Sequence, residues 1–161
     1  MRSTRRFTVL GAAALALTTV VLGVQPAGAA AKPKTLHYFE KPTGFTYIPA
    51  GGKPIHQPPS GPPKPGDRIE ISGNLYKGDH KHHGDEVVGT DHTICVFNAD
   101  LSAYCDAQAA FGGSMLLVHS SGGDGDFTST ITGGTGRFLN AKGTVRTHPV
   151  KDNADLTIRL K

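Results

Sequence analysis

The sequence predicts an all-β domain, an antiparallel barrel or sandwich of about eight short strands. Three observations carry this expectation. Apolar and polar residues alternate at period two in segment after segment, as where Ile69, Ile71 and Leu75 interleave with Arg68, Glu70, Ser72, Asn74 and Tyr76. Stretches rich in glycine and aspartate separate these segments at short intervals, as tight turns between neighbouring strands require. Beyond the first thirty residues, no apolar row at helical spacing runs for three turns without glycine or proline intervening.

Residues 1–29 stand apart from the fold. Arg2, Arg5 and Arg6 make a basic start, residues 7–24 carry no charge, and Ala27-Gly28-Ala29 has the small-x-small form that signal peptidase accepts. A secretory signal peptide is expected, cleaved after Ala29 or at Ala30 or Ala31, with a retained membrane anchor as the alternative. The three arginines leave with it, so the 17 basic residues fall to 14 against 13 acidic ones. The high isoelectric point is then no nucleic-acid footprint, and neither a nucleic-acid partner nor stable membrane insertion is expected after cleavage. The remaining residues, about 130, suffice for one domain with an ordinary core.

Residues 30–48 form an N-terminal segment in which LHYFE and GFTYI flank Pro42 and Gly44, which predicts one kinked strand or two short ones. Residues 49–65 hold seven prolines and predict an extended surface loop. Residues 66–161 carry the main part of the single domain. Its strands are expected at 69–76, 89–98, 104–111, 114–119, 127–132, 143–147 and 156–160. Glu70, Ser72, Asn74 and Tyr76 either all line an interior or all face water, and the need of Ile69, Ile71 and Leu75 for a core favours the outward arrangement. On the next strand His92, Ile94 and Val96 lie opposite Asp91, Thr93, Cys95 and Phe97. Only one of Asp91 and His92 can therefore enter an interior. Cys95 and Cys105 end one strand and begin the next, on the same side, and export to an oxidising space predicts a disulfide. The loop entropy of so short a ring is about 2.5 to 3 kcal/mol.

Two further stretches invite chemistry. GDHKHHGDE brings His80, His82 and His83 close together, a set suited to zinc, copper or nickel, or else a solvated hairpin loop. ITGGTGRFLNAKGTV, residues 131–145, has no helix behind its glycines to hold phosphate, so it is expected to be a strand reversal. Ser120, Ser121, Asp124 and Asp126 lack both a nucleophile elbow and the last acidic position of a calcium loop, and read as a turn.

GDRIEISGNLYKGD, the later GTDHTICV, and ITGGTGRF followed by AKG resemble, in order and spacing, the allene oxide cyclase barrels and the dirigent proteins. The chain is similar to the secreted allene oxide cyclase barrel-like, or dirigent-like, proteins of actinobacteria. The resemblance implies an eight-stranded antiparallel β-barrel with a central cavity and thus a barrel rather than a sandwich. It places Glu40 in the strand comparable to the one that carries the cyclases' glutamate. Gly73 stands where those proteins have a cavity asparagine, and Ala141-Lys142-Gly143 replaces the Ala-Arg-Gly that sets a cavity arginine beside the dirigent aspartates.

The resulting expectation is a secreted monomeric or small-oligomer barrel that binds a hydrophobic small molecule and directs a cofactor-free cyclisation, isomerisation or stereoselective coupling. Glu40, Asp91, His92, Tyr104 and Lys142 are its candidate catalytic residues. The alternatives are a packed extracellular binding or structural module without chemistry, and metal handling by the histidine-rich loop.

Overall fold

In the computed structural model, which describes residues 34–121 and 125–161, eight antiparallel strands close into a barrel. They are β1 (Lys34–Ile48), β2 (Arg68–Gly78), β3 (His83–Phe97), β4 (Ala103–Phe111), β5 (Ser114–Ser120), β6 (Phe127–Gly134), β7 (Gly143–Val150) and β8 (Asn153–Leu160). Each pairs with its neighbours in the chain, and β1 pairs with β8 from Lys34↔Leu160 to Glu40↔Ala154, which leaves no free edge. The expected signal peptide, residues 1–29, and Asp124 lie outside the described residues.

From Lys34 to Ile48 the N-terminal segment is one strand, with the kink absorbed by a bulge between Pro42 and Gly44. Proline cannot donate to a ladder, so the extra residue lets the pairing resume beyond it. Two hairpins are tighter than the composition indicates. Strand β3 begins at His83, so half of the histidine-rich stretch is strand and the turn shrinks to Asp79–His82, whose aspartate accepts the Lys81 and His82 N–H groups at 2.8 Å each. Strands β7 and β8 run through Pro149 and Ala154, leaving Lys151 and Asp152 as the turn, with Lys151 at φ 57°.

One end of the barrel is packed and the other is open. Tyr38, Leu75, Phe111, Leu116, Ile131, Phe138, Val145 and Ile158 form the core, and Leu75 and Leu116 are fully buried, each worth about 2 to 3 kcal/mol. Phe111 packs between Tyr38, at 4.8 Å, and Phe138, at 5.6 Å. Phe138 reaches the core because the glycine-rich stretch turns there through a short 3-10 segment, Gly136–Phe138. Gly136 has φ +57°, and a Cβ on it would lie 2.4 Å from Ser114 Oγ, so a side chain fits neither the backbone nor the space.

The proline-rich loop is pinned to the opposite end. Asp67 is buried and accepts hydrogen bonds from the Tyr47 hydroxyl, the Ala50 N–H at 2.8 Å and the Lys64 N–H at 2.7 Å. These donors hold its carboxyl below the usual range, and the carboxylate in turn pushes the Tyr47 hydroxyl up. Tyr47 and Ile55 exchange two backbone hydrogen bonds of 2.7 Å, which fold the first half of the loop back on β1.

Candidate functional site

The open half of the barrel encloses a cavity of about 900 Å³. Its existence follows from side-chain size. In the open half the inward positions of β4 are Ala103, Cys105, Ala107 and Ala109, too small to meet the opposite wall, and only Phe111 at the packed end is large. The floor is made by Leu75, Leu116, Val145 and Ile158, which belong to the core as well. Ile69, Ile71, Val118 and Leu156 line the sides, and Pro63, Phe97, Leu101 and Phe127 surround the mouth. The outward arrangement of Glu70, Ser72, Asn74 and Tyr76 follows, since their strand gives Ile69, Ile71 and Leu75 to the interior.

Two carboxyl groups interrupt this apolar surface. Glu40 on β1 and Asp91 on β3 flank β2, and Gly73 sits between them. A Cβ at position 73 would lie 2.5 Å from Asp91 Oδ1 and 3.1 Å from Glu40 Oε1. The absence of a side chain there is what lets both carboxyls converge on one spot. Burial pushes Glu40 up to about 7, and the neighbouring Asp91 adds to the shift. Burial also raises Asp91, to about 6, opposed by its own backbone N–H and by His92. Asp91 Oδ1 is shielded from solvent and has no hydrogen-bond partner. Two acids that resist ionisation, side by side in an apolar cavity, can hold a proton near neutral pH and exchange it with a bound molecule.

The other expected site residues lie elsewhere. His92 points outward, as strand parity demands once Asp91 is inside, and its Nδ1 meets Ser72 Oγ at 3.1 Å. Tyr104 is also on the outer face, 41% exposed, because its neighbour Cys105 takes the inward position. Lys142 is exposed in the connection between β6 and β7. In an up-and-down barrel alternate connections share an end. The connection carrying Lys142 therefore lies at the packed end, away from the mouth.

The three histidines of the β2–β3 hairpin do not converge on one point. His80 turns to Asp155, with Nδ1 2.5 Å from Oδ2 and its backbone N–H donating to Oδ1 at 2.7 Å. His82 is exposed, 3.7 Å from the Asp79 carboxylate, and His83 stacks on Phe39 with ring centroids 4.7 Å apart. Among the described residues no three histidine, cysteine or acidic side chains are grouped to hold a metal ion. The short turn splays the three rings to different neighbours, which the composition of the stretch does not reveal.

Cys95 and Cys105 are directly opposite on β3 and β4 and form the disulfide, with Cα atoms 4.1 Å apart. Both line the cavity. Gly73 is the position whose part the sequence hid, because a missing side chain shows its role only when the residues across from it are known. Arg137, within the glycine-rich stretch, has a part that its motif does not reveal. Its guanidinium lies 5.2 Å from the Phe111 ring centre and 4.8 Å from that of Phe138, covering the packed end.

By sequence the chain matches no protein-family model and no curated protein. Its structure is similar to that of pyocyanin demethylase, with a TM-score of 0.60 and 23% identity over 80% of this chain and 100% of the other. Two pterocarpan synthase dirigent proteins are similar as well. For GePTS1 the TM-score is 0.52 and the identity 20%, over 80% of this chain and 86% of that one. For PsPTS1 the values are 0.51 and 19%, over 81% and 94%. At these identities the likeness concerns the fold, and with the strand order and closure above it establishes that this chain folds as the eight-stranded antiparallel barrel of the dirigent and allene oxide cyclase-like proteins.

Proposed function

We propose that this barrel acts outside the cell, binds a hydrophobic small molecule in its open half, and moves a proton to or from it through Glu40 and Asp91. The reaction class is a cofactor-free cyclisation, isomerisation or stereoselective coupling. The observation that carries the reading is the apolar cavity of about 900 Å³ with a single pair of raised carboxyls in its wall. A volume of that size accommodates a ligand of drug-like dimensions, and its few polar groups would orient one. Confinement in a shaped cavity directs a reactive intermediate without strong acid or base, and the pair supplies a proton where one is needed. The disulfide and the signal-like residues 1–29 support export.

The open volume favours ligand binding over a filled structural module. The test is native mass spectrometry of the protein recovered from its producing cells, followed by organic extraction and identification of bound molecules. A reproducible apolar ligand displaced by an Ala107→Phe substitution is the expected result. Recovery of the barrel without any ligand, together with no uptake from a broad panel of apolar compounds, refutes the reading.

A further inference from the structure

The cavity wall carries acidic groups with no basic side chain inside the cavity beside them. Glu40 and Asp91 are the only titratable side chains among the described residues that line it, since Cys95 and Cys105 are joined as a disulfide, and no lysine, arginine or histidine joins them. Lys41, Arg137 and His92 are engaged outside the cavity. Lys41 lies over the rings of Phe39 and Tyr76, at 5.5 and 4.7 Å, on the outer face. Arg137 covers the packed end, and His92 meets Ser72 on the outer surface. Asp91 Oδ1 is turned toward Gly73, which has no side chain to offer a donor.

A carboxylate removed from water and left uncompensated is costly. A ligand that brings a positive nitrogen to the cavity side of the pair offsets that cost. One that brings a second carboxylate adds to it. The rest of the wall is suited to a hydrocarbon body.

Building on the small-molecule reading above, we propose that the cavity selects lipophilic amines, seating the protonated nitrogen against Glu40 and Asp91 and the apolar body along Ile69, Ile71, Val118 and Leu156, and that it rejects lipophilic carboxylates. The fold alone does not specify this preference. It arises from this chain's own combination of two acids, a glycine between them and a wall without a base.

The test compares three probes of one chain length, decylamine, decanol and decanoate, titrated calorimetrically into the full-chain protein at pH 8. Decylamine is expected to bind at least about tenfold more tightly than decanoate, with decanol between them. In an Glu40→Gln/Asp91→Asn double variant the amine should lose its advantage over decanol while decanol still binds. Decanoate binding as tightly as decylamine to the unmodified protein overturns the proposal without recourse to any variant. So does an amine preference that survives in the double variant or, should the double variant lose its near-ultraviolet circular dichroism, one that is undiminished in both Glu40→Gln and Asp91→Asn. Equal binding of decanol and decylamine removes the selectivity but leaves the cavity reading intact. If none of the three binds, the small-molecule reading fails, and this inference with it.

Discussion

Replacing Glu40 by glutamine exchanges a carboxyl for an amide of the same shape that cannot ionise. Folding moves this carboxyl from 4.5 to about 7, chiefly through burial and secondarily through Asp91. At 1.36 kcal/mol per pH unit of displacement, ionising Glu40 costs the folded state about 3 kcal/mol. Between pH 4.5 and about 7 the native barrel keeps a proton that the unfolded chain has released. The stabilisation from that proton is therefore complete below pH 4.5 and is lost as the pH rises through about 7. The glutamine variant has no such loss. Urea unfolding at pH 4.5, 6 and 8 should show the two proteins nearly equal in acid. At pH 8 the variant should be the more stable, by about 3 kcal/mol, or on the order of 10 °C in Tm. Parallel stability profiles, or a variant that is weaker at pH 8, would refute the argument, because they would mean that Glu40 is solvated. Asp91→Asn should lower the pKa of Glu40 only in part, since burial outweighs the neighbouring charge.

Other consequences are as direct. Removing the disulfide with Cys95→Ser and Cys105→Ser opens a ring of sequence separation 10, and should cost about 3 kcal/mol in chemical denaturation, matched by the unmodified protein under reductant. Tyr47→Phe deprives the buried Asp67 of its hydroxyl donor, so limited proteolysis should cut within residues 49–66 sooner while the barrel stays whole. Protection of that loop should also be lost as the pH falls through the depressed pKa of Asp67, whose stabilisation is present only while it is ionised. Ala107→Phe places a ring in the open half of the barrel, away from the packed aromatic end, and should weaken apolar ligand binding by at least about tenfold with little change in Tm.

Strand parity was legible in the chain wherever polar and apolar residues alternate. It placed Ile69, Ile71 and Leu75 inside, made Asp91 and His92 mutually exclusive, and put Cys95 and Cys105 on one side, because adjacent side chains of a strand must face opposite ways. The turn in residues 131–145 was legible for a similar reason, since its glycines had no helix to serve. Hairpin lengths were not, because Pro149 and the histidine-rich stretch look like loop by composition and were drawn into strands by pairing with their neighbours. Lys142 could not be placed from its motif, because the end of the barrel to which a connection belongs depends on the whole strand order. The convergence of Glu40, Gly73 and Asp91 lay further still from view. It depends on the registers of β1 with β2 and of β2 with β3 together, and on a side chain that is absent. By itself the sequence determined the periodicities, the turn chemistry and the covalent cross-link, all local properties of the chain. The tertiary structure decided which end of the barrel is open, which acids meet inside it and how far burial raises them. Proximity between residues 40, 73 and 91, and the dielectric around them, come into being only when the barrel closes.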